Sequence, residues 1–259
     1  MKKRKHLGQN FLVDESIVGQ IVSSAHLERG EEVLEIGPGL GILTRHLLEA
    51  GCRLTALEID LILCDHLEKE FSSKDNFCLL RGDALKYDYG ILGNKFKVIS
   101  NLPYYAATHI LKRLIRYGSR ISDMVVMLQK EVAERLTAEP GQKEYSSLTI
   151  FVQYHCRVER LIEVAKECFS PTPKIDSMVV RLTPLKAPAV AVNNPIEFFK
   201  IVHAAFLHKR KMLKNNLSPW RDHFTKENDK ISLAGIDLNR RGETLSLDDF
   251  ASLANHLCP

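Results

Sequence analysis

Five apolar runs constrain the fold of this chain more than any other feature: EVLEIG (32–37), RLTALEID (53–60), FCLLRGD (77–83), FKVISN (96–101) and DMVVMLQ (123–129). Each carries apolar residues on both faces of an extended segment, so none can leave one face in water, and the sheet they build must be covered on both sides. Segments 43–50, 61–71 and 107–117 lie between them and have the length and pattern of helices. Strand–helix alternation of this kind predicts an α/β domain with a mostly parallel sheet. Two later runs, VERLIEV (158–164) and MVVRLTPL (178–185), are joined by a loop with no helix, which predicts an antiparallel pairing toward one edge. Asp14 is placed to cap a helix whose Ile17, Val18, Ile21, Val22 and Ala25 share one face. LKAPAVAVNNP (185–195) has the prolines and small residues of a linker, and the pattern beyond it is helical to the end. The expected division is residues 1–187 as the α/β domain and 188–259 as a smaller all-helical one.

In a sheet of this type ligands bind beyond the carboxyl ends of the strands. The first run delivers EIGPGLG there, where Gly37, Gly39 and Gly41 permit a tight turn and close backbone approach before a helix opens at Ile42. The second delivers Glu58, 21 residues after Gly37, the separation at which an acid reaches ribose hydroxyls. The third delivers Asp83, an acceptor for the exocyclic amine of adenine. Together they predict an adenosine-containing cofactor and leave open whether it is a nicotinamide dinucleotide.

The fourth run separates the possibilities, because it delivers Asn101, Leu102, Pro103 and Tyr104. An aromatic amine such as adenine N6 is a poor nucleophile, its lone pair being delocalised into the ring. Acceptors for both of its N–H groups favour a more tetrahedral nitrogen. The Asn101 side-chain oxygen and a carbonyl of the turn suit that task, Pro103 stiffens the turn, and Tyr104 offers a face to the base. Hydride transfer has no use for this set. The structural alternative is an Asx turn with its aromatics in the core.

The 259 residues are 45% hydrophobic and 26% charged, ordinary for a globular chain. No apolar run approaches membrane-spanning length, and the basic start lacks the apolar segment of a signal peptide, so a cytoplasmic location is expected. The six cysteines form no C-x-x-C pair and are expected as reduced, mostly buried thiols, with no metal site. Net charge is +4, but Lys2–Lys5 and the acid-free stretch from Lys200 to Arg221 concentrate positive charge, which favours a polyanionic partner.

These residues resemble the ribosomal RNA adenine dimethyltransferase family. The resemblance rests on KHLGQNFL (5–12), LEIGPGLGILT (34–44), LEID (57–60), GDAL (82–85), SNLPYYAAT (100–108), MLQKEVAERL (127–136), FSPTPKIDS (169–177) and FLHKRKMLKNNL (206–217). It implies a Rossmann-like class I domain that uses S-adenosylmethionine and converts two adjacent adenosines near the 3′ end of small-subunit ribosomal RNA to N6,N6-dimethyladenosine. The implied cofactor contacts are Gln9, Asn10, Leu12, Gly37, Gly39, Glu58, Asp83 and Asn101. The implied catalytic set is Asn101, Leu102, Pro103, Tyr104 and Phe169, the last packing against the target base beside Pro171 and Pro173. Lys209, Arg210, Lys211 and Lys214 are the expected RNA contacts. The expected partner is the RNA of an immature 30S-type subunit, met by a monomer with no membrane association. An enzyme acting on large-subunit RNA shares the strand-end motifs; HKRKMLKNNL favours the small-subunit group. A binding protein without catalysis is the rival from another class.

Overall fold

The computed structural model describes residues 10–93, 95–227 and 230–258. In chain order its elements are β1 (Phe11–Leu12), α1 (Glu15–Ser24), β2 (Glu32–Ile36), α2 (Ile42–Glu49), β3 (Arg53–Glu58), α3 (Leu61–Phe71), β4 (Phe77–Arg81), β5 (Phe96–Asn101), α4 (Ala107–Ile115), β6 (Ile121–Gln129), α5 (Lys130–Thr137), α6 (Ser147–His155), β7 (Cys156–Val164), β8 (Phe169–Ser170), β9 (Ser177–Pro184), α7 (Pro195–Leu207), α8 (Leu213–Asn216), β10 (Thr225–Glu227), β11 (Lys230–Leu233), β12 (Ile236–Asp237) and α9 (Leu247–Leu257). Among the described residues, no helix is long and apolar enough to cross a membrane.

Seven strands form the main sheet in the order β4-β3-β2-β5-β6-β9-β7. The pairs β2–β3, β3–β4, β2–β5 and β5–β6 are parallel, whereas β6 and β9 run antiparallel from Met124↔Leu182 to Gln129↔Ser177. Both faces are covered, as the apolar runs require. Val33, Leu54, Ile99, Val125 and Val179 pack with Val18 and Ile21 of α1 and Leu43 and Leu47 of α2, while the intervening Leu34, Val98 and Val126 are equally buried. Asp14 caps α1, accepting from the Ser16 and Ile17 amides at 2.9 and 3.2 Å.

The chain divides into two compact units. The first runs to Ala133 and resumes over Arg157–Lys186; the second comprises Glu134–Cys156 and Ala187–Pro259. The second unit therefore takes in a segment that a division at residue 187 assigns to the first. Burial explains this: Tyr145, Ile150 and Tyr154 join Phe198, Ile201, Leu213 and Phe250 in one apolar cluster. That unit also departs from an all-helical reading, since β10, β11 and β12 form a small antiparallel sheet. The turn between β11 and β12 uses positive φ at Ala234 (52°) and Gly235 (76°), the pair of left-handed residues found in a two-residue hairpin turn. All six cysteines are free, but only Cys52, Cys64 and Cys156 are buried; Cys78 is exposed, and Cys168 and Cys258 are half-buried.

Candidate functional site

The strand order reverses between β2 and β5, and a cleft opens at their carboxyl ends. Of the strand-end residues singled out in the sequence, Gly37 and Gly39 after β2, Glu58 ending β3, Asp83 after β4, and Asn101 to Tyr104 at the end of β5 line it, and Gly41 does not. Asn10 and Leu12 join them from the amino-terminal side. Gln9 and the basic stretch Lys2–Lys5 lie outside the described residues.

Local geometry accounts for the glycine turn. Gly39 has φ of +61°, a state that L side chains rarely adopt, and a Cβ on it would crowd the ring of Phe11 at 3.0 Å. The Gly39 amide donates to Glu58 Oε2 at 3.4 Å, while Oε1 of the same carboxylate accepts from the Ile59 and Asp60 amides at 2.8 and 2.9 Å. Glu58 is 4% exposed. Burial pushes its pKa up, and the three amides oppose that shift. The side chain is thus fixed before any ligand arrives; one lone pair on Oε2 is left free, beside a Gly39 contact that at 3.4 Å is long enough to give way to a second donor.

Glu35 is a cleft residue that the strand-end reading missed. It is 2% exposed, accepts from the Thr44 hydroxyl at 2.7 Å, and has a pKa pushed up to about 8, first by burial and further by the Glu58 charge. The signal was present: a carboxylate inside an otherwise apolar strand has no bland role, because it must be neutralised or partnered.

At the end of β5, the Asn101 Oδ1 is buried and has no hydrogen-bond partner among the described residues. Buried acceptors are rarely left so, since the cost is roughly 1–3 kcal/mol. Its neighbours are well ordered: the Leu102 amide donates to the Met127 carbonyl at 3.2 Å and the Ala106 amide to Pro103 at 3.0 Å. The Tyr104 hydroxyl shares a 2.6 Å hydrogen bond with Ser177 Oγ. Asp83 Oδ1 accepts from the Leu85 amide at 2.8 Å, which orients its carboxylate at the cleft wall. A glycine turn, a preset acid, a second acid and an orphaned amide oxygen suit an adenosine cofactor beside an amine that still needs an acceptor.

Two predicted groups stand elsewhere. Phe169 does not line the cleft; it is 2% exposed, belongs to the core of the first unit, and pairs with Leu12 in the short β1–β8 ladder. It meets the site through two lining residues, Leu12 in that ladder and Tyr104 by a ring contact. Lys209, Arg210 and Lys211 are exposed between α7 and α8 in the second unit. Lys209 lies 3.9 Å from Glu243 Oε2, and half-buried Lys214 donates to Asn239 Oδ1 at 2.8 Å.

The sequence profile of the ribosomal RNA adenine dimethylase family matches residues 1–258. The chain is 43% identical over 257 residues to ribosomal RNA small subunit methyltransferase A of Clostridium botulinum strain Loch Maree, spanning 98% of this chain and 94% of that one. It is 42% identical to the Pseudomonas aeruginosa protein of the same name, over 99% and 95% of the two chains. Among solved structures, a dimethyladenosine transferase from Plasmodium falciparum superposes with a TM-score of 0.74 at 26% identity, covering 94% of this chain and 95% of the other.

Proposed function

The chain belongs to the ribosomal RNA adenine dimethylase family, and on that premise we propose that it transfers methyl groups from S-adenosylmethionine to N6 of two adjacent adenosines near the 3′ end of small-subunit ribosomal RNA. The observation that carries this reading is the buried, unpartnered Asn101 oxygen at the switch point of the sheet. It is an acceptor for which the described residues supply no donor.

The other residues take their roles from the same geometry. Glu58, held by three amides, receives the ribose hydroxyls of the cofactor. Asp83 receives the adenine amine, and the glycine turn with Asn10 and Leu12 closes around the remainder. Once bound, S-adenosylmethionine supplies the electrophilic methyl group that N6 acquires. Asn101 Oδ1 and the Leu102 carbonyl accept hydrogen bonds from the N6 amino group of the target adenine, which localises the nitrogen lone pair, and each methyl gained releases one N6 proton to solvent. Pro103 holds the turn rigid, and Tyr104 provides the face on which the extruded base rests. Phe169, buried in the core, packs edge to face with Tyr104 and holds that ring in place for the base. Positioning and exclusion of water account for most of the acceleration. Lys209, Arg210, Lys211 and Lys214 engage RNA phosphates on an immature subunit, and the protein works in the cytoplasm as a monomer.

Incubating the protein with radiolabelled S-adenosylmethionine and unmethylated small ribosomal subunits, then digesting the RNA to nucleosides, tests the reading. Labelled N6,N6-dimethyladenosine at two adjacent positions is the expected product. Label confined to large-subunit RNA, or cofactor binding without transfer, would overturn it.

A further inference from the structure

A second depression lies at the same end of the sheet, lined by Lys130, Glu131, Lys166, Lys174, Ile175 and Asp176. All of these residues belong to the first unit. Lys130 follows directly on β6, while Lys166 and Lys174 bracket the segment that carries Phe169, Pro171 and Pro173. Asp176 organises the group. Its carbonyl accepts the Lys130 amide at 3.0 Å, and its Oδ1 accepts the Lys166 amide at 3.0 Å, so both lysine backbones are fixed by one residue. One oxygen of the Asp176 carboxylate is thereby engaged by main chain. The Lys130 ammonium meets Glu163 at 3.1 Å, but these side chains are 35% and 71% exposed, and an ion pair that open to water is readily exchanged for a stronger anion.

Register ties this depression to the chemistry. Asn101 stands opposite Met127, and Gln129 opposite Ser177, whose hydroxyl is bonded to Tyr104. Lys130 is three residues beyond the strand position beside Asn101, about 10 Å at ~3.3 Å per residue. An RNA strand with a base resting on Tyr104 would bring a flanking phosphate within reach of Lys130, and Lys166 and Lys174 line the same depression. Ammonium groups on long flexible stems suit phosphate oxygens, which are approached from many directions.

We propose that Lys130, Lys166 and Lys174 form a binding site for the RNA phosphates that flank the target adenosine. This rests on the dimethylation reading and adds to it a contact in the catalytic unit, distinct from the basic turn of the second unit. The site explains why two lysines bracket the Phe169 segment: they hold the strand while the base leaves its stack.

The test uses the full-length protein and unmethylated small subunits. The double variant Lys166→Gln/Lys174→Gln is expected to raise KM for subunits several-fold and to make the log–log salt dependence of binding shallower by roughly 0.7 per lost phosphate contact. Cofactor affinity and melting temperature should stay at wild-type values, and Lys166→Arg/Lys174→Arg should restore both KM and slope. A KM and slope equal to wild type in the Gln variant, or a loss that Arg does not restore, overturns the proposal. Photocrosslinking from Lys174→p-benzoylphenylalanine gives an independent readout: adducts beside the dimethylated adenosines support the site, and adducts on a ribosomal protein or on distant RNA overturn it. If the wild-type protein methylates no ribosomal adenosine, the function itself is wrong; if it does so and the Gln variant matches it, only the phosphate site is wrong.

Discussion

The rings of Tyr104 and Phe169 meet edge to face, with centroids 6.4 Å apart and planes inclined at 64°. This is a face with a wall beside it and not a pair of parallel plates, so a base cannot lie sandwiched between them in this arrangement. On the proposed reading Tyr104 is the stacking surface; its ring meets two partners far away in sequence, Phe169 edge to face and Ser177 at its hydroxyl.

Phe169 then has two duties that its variants separate. Phe169→Ala should lose about 3–5 kcal/mol of stability, as for other buried phenylalanines, together with methyl transfer. Phe169→Leu should hold its melting temperature close to wild type while transfer falls several-fold at unchanged cofactor affinity, because Leu fills volume without a planar ring. Thermal melts and dimethyladenosine yield on the same two proteins decide the matter; a fully active Leu variant would leave Phe169 with a packing role alone.

Asn101→Ala should separate stability from function in the opposite sense. Removing a buried acceptor that has no partner relieves a cost of roughly 1–3 kcal/mol, so the free protein should melt at the same temperature or higher. Transfer should fall by about 100-fold or more, by analogy with the loss of one fixed hydrogen-bonding group in other sites. A lowered melting temperature with substantial remaining turnover would show that the oxygen serves the turn.

Glu58→Ala removes the acceptor for two hydroxyls and leaves three amides unpaired. Each charge-assisted bond is worth about 1.5–3 kcal/mol, so titration calorimetry should show cofactor affinity reduced by tens-fold or more in a folded variant. Unchanged affinity would remove Glu58 from the cofactor site.

Glu35 makes a prediction about pH. Its pKa rises from 4.5 to about 8 on folding, so the folded protein holds this proton more tightly than the unfolded chain. The stability it contributes is complete below about pH 4.5 and is lost as the pH climbs to 8. Wild-type stability should therefore fall relative to Glu35→Gln by up to ~1.4 kcal/mol per pH unit across that window. Denaturant midpoints for the two proteins at pH 5, 6.5 and 8 measure the difference, and parallel profiles would refute the assignment.

For the basic turn, replacing Lys209, Arg210 and Lys211 together by Gln should weaken subunit binding and reduce the salt slope by roughly 0.7 per lost contact, leaving cofactor binding intact. An identical slope would return these residues to an ordinary solvated surface.

The cleft was largely legible in the sequence because a parallel sheet gathers its strand ends along one edge. Gly37, Glu58, Asp83 and Asn101 could each be placed by locating a strand terminus, with no knowledge of tertiary contacts. What could not be placed depended on partners distant in sequence. Ser177 bonds Tyr104 across 73 residues, and Phe169 is buried by its pairing with Leu12. Glu35 was hidden for a different reason: an apolar run is read for its periodicity, which says nothing of a carboxylate buried within it. The assignment of Glu134–Cys156 to the second unit follows from Tyr145, Ile150 and Tyr154 sharing a core with α7 and α9, which no local pattern announces.

The chain passes between its two units three times, after Ala133, Cys156 and Lys186, and the order of synthesis makes this matter. Of the seven strands in the main sheet, β9 is the last to leave the ribosome, yet it sits between β6 and β7. Until it arrives, the nascent sheet ends at β6 with an open, apolar edge, and β7 has no neighbour in the sheet. A gene cut after Lys186 would supply all seven strands but strand Tyr145, Ile150 and Tyr154 without Phe198, Ile201 and Phe250, a recipe for a sticky fragment. Exchanging the second unit with that of a relative accordingly calls for two inserted pieces, and a simple tail swap should yield chains that chaperones retain.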